Sequence, residues 1–142
     1  MKKTLLFSSI VVIALIAGYF GLYRGNNNDE EVKQPFVSDN VKLDSPLPDE
    51  IVTSPLVIRG EARLWYFEAS FPIEILDANG ARLGVSFVQA QDDWMTENWV
   101  PFEGKIEFDA PTTDTGTLVM SKDNPSGLPE FDESVSIPIR FK

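Results

Sequence analysis

Between residues 54 and 80 the side chains alternate with a period of two, interrupted once. Leu56, Ile58, Gly60 and Ala62 fall on one face of the first run, with Val57, Arg59, Glu61 and Arg63 on the other. In the second run Phe67, Ala69, Phe71, Ile73 and Ile75 share a face against Glu68, Ser70 and Glu74. This pattern marks β-strands with one buried face. Residues 64–67, Leu-Trp-Tyr-Phe, predict a tight aromatic corner between the two strands. Asp77-Ala78-Asn79-Gly80 predicts a hairpin turn, since these residues tolerate positive φ.

The same pattern recurs along the rest of the chain. Val41-Lys42-Leu43 reads as a short first strand, followed by a proline-bounded loop at 45–50. Leu83, Val85 and Phe87 alternate with Arg82, Gly84 and Ser86, which predicts the hairpin partner of the strand before it. Residues 89–98 read as a polar loop holding Trp94. Phe102, Gly104, Ile106 and Phe108 oppose Glu103, Lys105, Glu107 and Asp109, the cleanest half-buried strand in the chain. Leu118 and Met120 mark another strand, and Val135, Ile137, Ile139 and Phe141 a last one. Pro138 on its outward side suggests a sheet edge. About seven short strands separated by turns predict an all-β immunoglobulin-like β-sandwich over residues 41–142.

The N-terminus has a different character. Residues 5–23 are apolar and uncharged, long enough to span a bilayer as a helix. Lys2 and Lys3 precede them and predict a cytoplasmic N-terminus over residues 1–4. Small residues near the end of the run are interrupted by Ile16, Tyr19 and Phe20, so the run reads as a retained signal anchor rather than a cleaved leader. Residues 24–40 are polar and read as a flexible linker off the membrane, with Phe36 and Val37 inside it. These features predict a single-pass cell-membrane protein whose C-terminal domain lies outside the cytoplasm.

All 22 acidic residues and ten of the 12 basic ones follow this run. An acidic domain repels phosphate backbones, which argues against nucleic acid as a partner. The chain has neither Cys nor His. Disulfides and thiolate chemistry are therefore excluded, along with the commonest general base and transition-metal ligand.

Several pieces of the outer domain together resemble a known family. Ser54-Pro55, Gly60-Glu61-Ala62-Arg63, Phe67-Glu68-Ala69, Asp77 to Gly80, Trp99 with Phe102-Glu103-Gly104, and Lys122 to Gly127 are similar to the immunoglobulin-like domain of bacterial spore germination proteins. The likeness covers nearly all of residues 41–142. It implies an immunoglobulin-like sandwich on an extracytoplasmic protein and brings no catalytic residues with it.

Three constellations stand out. Trp65, Tyr66 and Trp94 are the candidate ligand-binding residues, as an aromatic platform for sugars or peptides. Arg63 and Glu68 flank the corner and are expected to form a structural ion pair that locks it. Asp92, Asp93 and Glu97, and separately Asp123, Asn124, Glu130, Asp132 and Glu133, carry oxygen ligands but fit no EF-hand spacing. No catalytic residue, metal site or cofactor emerges. The expected function is a non-catalytic binding or assembly module of the cell envelope. It would engage a protein or cell-wall partner through loops, or through a sheet edge by strand addition. A carbohydrate-binding module for cell-wall glycan is the alternative.

Overall fold

The computed structural model describes residues 32–142. The predicted membrane helix at 5–23 lies outside the described residues, as does the linker up to residue 31. Among the described residues no helix is long and apolar enough to cross a membrane.

Eight strands follow one another: β1 (Phe36–Val37), β2 (Val41–Ser45), β3 (Leu56–Ala62), β4 (Ser70–Asp77), β5 (Arg82–Ala90), β6 (Val100–Ile106), β7 (Thr115–Ser121) and β8 (Ser134–Arg140). A single 3₁₀ turn, Pro129–Phe131, sits between the last two. The strands form one antiparallel sheet in the order β1-β2-β3-β6-β5-β4-β7-β8. The join of β5 to β6 is short, with only Val88, Gln89 and Ala90 in register with Gly104, Glu103 and Phe102. There the sheet bends over, so that β1-β2-β3-β6 packs against β5-β4-β7-β8. On the other side residues 49–52 lace the layers together. Asp49 and Val52 donate backbone N–H groups to Pro138 and Arg140, and Arg140 donates to Glu50, at 2.8–2.9 Å. The sandwich is thus nearly closed, with few unpaired edge groups.

The core is what the alternation demanded in most strands. Val41 and Leu43 of β2, Ile58 and Ala62 of β3, Phe102 and Ile106 of β6, Leu118 and Met120 of β7, and Ile137 and Ile139 of β8 are all buried. Each large side chain among them stabilises the fold by about 1.5–3 kcal/mol through burial alone.

Four expectations need correction. The stretch 24–40 is not all spacer: β1 lies within it, pairs with β2, and packs Phe36 against the core. The second run does not start at Phe67. β4 begins at Ser70, and Phe67 is exposed. Strand β5 extends through Gln89 and Ala90, which were expected in a loop. It also turns the opposite face inward. Gly84, Ser86 and Val88 lie across from Ile75, Ile73 and Phe71, while Val85 and Phe87 stand on the outer surface. The cause is space. Gly84 lies so close to the Glu107 carbonyl and to Phe108 that even a Cβ would overlap them, and a Cβ at Gly104 would come within 2.7 Å of Val88 Cγ1. Where the sheet bends, the interior takes small residues, and hydrophobicity alone points the strand the wrong way.

Candidate functional site

The strand register sorts the loops into two groups. Ala62 lies opposite Val100, Ser70 opposite Gln89, Ala90 opposite Phe102, and Ser121 opposite Ser134. The 63–69, 91–99 and 122–133 loops therefore gather at one end, here called the far end, together with the 38–40 turn. The opposite end holds the 46–55 loop, the 78–81 turn and the 107–114 loop. The chain enters the domain there, since the Lys33 ammonium donates to the Asp49 carbonyl.

The 63–69 loop has a buried root and an exposed crest. Trp65 is fully buried, with its ring edge-on to Phe71 at 5.6 Å, and Phe71 is in turn edge-on to Phe102 at 5.1 Å. Its carbonyl accepts from the Asp123 N–H at 3.1 Å, tying this loop to the 122–133 loop. Its indole N–H is buried with no partner among the described residues. Tyr66 packs on Phe71 at 5.3 Å and donates its hydroxyl to the Val100 carbonyl at 2.7 Å. Burial pushes its phenol well above the ordinary value. Glu68 and Ala69 both have positive φ, 48° and 64°. Phe67 and Ser70 exchange two backbone hydrogen bonds across them, each 3.1 Å. This is a two-residue hairpin turn with left-handed backbone at both central positions, which normally calls for Asn-Gly. Leu64 is also left-handed, at φ 60°. Held this way, Leu64 and Phe67 point out of the domain while Trp65 points in.

The other two loops are built from short-range polar contacts. In the 91–99 loop Met95 N–H donates to the Asp93 carboxylate at 3.1 Å, and Asn98 N–H to the Thr96 hydroxyl at 3.1 Å. In the 122–133 loop the Asn124 side-chain amide donates to the Leu128 carbonyl at 2.9 Å and to the Asp132 carboxylate at 2.8 Å. These contacts bend the backbone locally without burying side chains. Met95, Leu128 and Phe131 are accordingly left on the surface. With Leu64 and Phe67 they make five large apolar side chains at the far end, 41–75% exposed. The entry end exposes only Ile51 in its described loops.

The expected aromatic platform does not assemble. Trp65 offers no surface, and Tyr66 is half-buried with its hydroxyl engaged. Trp94 is half-buried in the 91–99 loop. The expected ion pair is also corrected. Arg63 donates from Nε to the Asp39 carbonyl at 3.1 Å and to Asn40 Oδ1 at 3.3 Å, and lies over the Trp99 ring at 4.9 Å. Glu68 is exposed at the turn. The positive φ at Glu68 breaks the strand alternation that would have brought it beside Arg63.

Lys42 shares the Trp99 ring with Arg63, at 4.0 Å, and pairs with Glu61 at 3.6 Å. A polar cleft of about 300 Å³ opens beside Trp99, lined by Asp92, Asp93, Thr96 and Asn98. A second, of about 400 Å³, lies along Lys122, Asp132 and Glu133. Among the described residues no three acidic side chains converge as a metal site. The far end is a broad apolar and acidic surface with shallow polar clefts, suited to contact over an area rather than to enclosing a small substrate.

Sequence reasoning missed Leu64, Met95, Leu128 and Phe131. The available signal was Leu128-Pro129-Glu130-Phe131, apolar residues inside an acidic loop with no partner strand.

No curated protein and no solved structure gives a match to this chain. A family model does, over residues 40–128, from the 38–40 turn through β7 into the 122–133 loop. That match covers more than half of the sequence, and the chain belongs to the family described as the immunoglobulin-like domain of bacterial spore germination.

Proposed function

We propose that this protein is a membrane-anchored, extracytoplasmic docking module that holds a protein partner at the far end of its sandwich and performs no chemistry. One observation carries the reading: five large exposed apolar side chains, from three loops, at the end opposite the chain's entry. Clustered exposed apolar groups of this kind mark interaction surfaces. A rigid sandwich presenting loops at one end is a common recognition architecture. The apolar run at residues 5–23 supports the anchor. The family supports a non-catalytic module.

Site-specific photo-crosslinking in living cells tests this. A photoreactive residue replaces Met95 or Phe131 at the far end, and Asn79 at the entry end, in the full chain. Protein adducts from the two far-end positions, and none from Asn79, are the expected result. Adducts from Asn79 alone, or none at all, would overturn the reading. Adducts of cell-wall glycan in place of protein would favour the carbohydrate alternative.

A further inference from the structure

The far end is not only apolar. Its three loops carry eight acidic residues, including Glu68, Asp92, Asp93, Glu97 and Glu130, against only Arg63 and Lys122 as bases. Arg63 is held inward by Asp39, Asn40 and Trp99. The acids are threaded between the apolar side chains: Glu68 follows Phe67, Asp93 and Glu97 bracket Met95, and Glu130 and Asp132 bracket Phe131. All of these acids except the half-buried Glu133 and Asp123 are exposed. They cannot neutralise one another, and Arg63, one of the two bases, is already engaged.

We infer that the partner presents a cationic amphipathic segment, with an apolar stripe flanked by Lys and Arg. This inference rests on the docking reading above and specifies the chemistry of the occupant. The apolar side chains require a partner with matching apolar surface. The acids between them would be desolvated by any such partner, and desolvating unpaired carboxylates is costly. A neutral or acidic apolar surface therefore meets a penalty that a cationic one does not. Alternation of the two kinds of group along each loop favours a segment that carries both on one face, such as an amphipathic helix with basic flanks.

The test uses the full chain in a neutral detergent and two fluorescent peptides. One is a Lys/Leu amphipathic helix. The other has the same pattern with Glu replacing Lys. The expected result is at least tenfold tighter binding of the Lys/Leu peptide, falling with added salt. The Met95→Ser/Phe131→Ser variant should lose at least tenfold of that affinity while melting as the parent does. Equal binding of both peptides, or no binding of the Lys/Leu peptide, would overturn the inference. So would undiminished binding by the double variant, because the contact would then be diffuse electrostatics rather than the far end. The two readings fail separately. Far-end crosslinks to a protein, combined with no binding of the Lys/Leu peptide, retain the docking surface and reject its cationic partner.

Discussion

The two ends of the sandwich are built from the same strands and treat their loops in opposite ways. At the entry end the loops are tied into the fold. Residues 49–52 hydrogen-bond to β8, and the Asp77 carboxylate, buried at the turn, accepts from the N–H groups of Asn79 at 2.9 Å and Ala81 at 2.8 Å. Gly80 supplies the positive φ that this turn needs. At the far end the 91–99 and 122–133 loops make most of their polar contacts within themselves, and together with the 63–69 loop they put apolar groups outward. Among the described residues, three of the four positive-φ residues other than glycine lie in the 63–69 loop. One end closes the domain, and the other displays a surface on a rigid base.

The largest expected effect tests that base. Trp65→Ala should cost about 3–5 kcal/mol by denaturant unfolding, as for loss of a large buried aromatic. Leu64→Ser, one residue away, should stay within about 0.5 kcal/mol. Equal effects at the two positions would erase the distinction between root and crest. Trp65→Phe should be milder than Trp65→Ala, because it keeps an aromatic ring against Phe71 and leaves a smaller cavity.

At the entry end, Asp77→Ala leaves two backbone donors without their acceptor and should cost about 1–3 kcal/mol. The Thr96 hydroxyl accepts from the Asn98 N–H in a solvent-exposed contact that water can replace, so Thr96→Ala should be nearly silent. An Asp77→Ala protein as stable as its parent would show that the entry end is not closed by this turn.

Alkaline pH reaches the root through Tyr66. Its phenol is raised in the fold by burial. Stability from this group is therefore complete below the unfolded value near 10. It declines as pH rises beyond that, because the unfolded chain ionises first. The decline should be shallower than about 1.4 kcal/mol per pH unit, since the ring is only half-buried. Tyr66→Phe should flatten this limb in melting experiments between pH 9 and pH 11 or so. An unchanged limb would place the sensitivity elsewhere.

The smallest effect is a gain. Ala69→Gly relieves a left-handed residue in the hairpin turn and should raise stability by about 1 kcal/mol. If the melting temperature falls instead, the turn is not strained and the crest is simply a well-adapted loop.

Much of the fold was legible in the residues. Period-two alternation found the buried faces of β2, β3, β4, β6, β7 and β8, because each of these strands has a drier and a wetter face. It failed where local rules were overridden. In β5 the apolar face Val85 and Phe87 was turned outward by crowding at Gly84 and Gly104, a fact of neighbouring strands rather than of β5 itself. The Glu68-Ala69 turn was hidden because neither residue advertises positive φ. The candidate site fared worse. Trp65 and Trp94 looked alike as loop tryptophans, and only packing against Phe71 shows that the first is core.

By itself the sequence determined an all-β domain, the inward residues of six strands, and the absence of any Cys or His chemistry, because side-chain alternation and composition act locally. Tertiary structure alone decided which loops meet at one end and which apolar side chains stay outside. Those outcomes depend on strand register between distant segments, and register is set by how the two layers fit together.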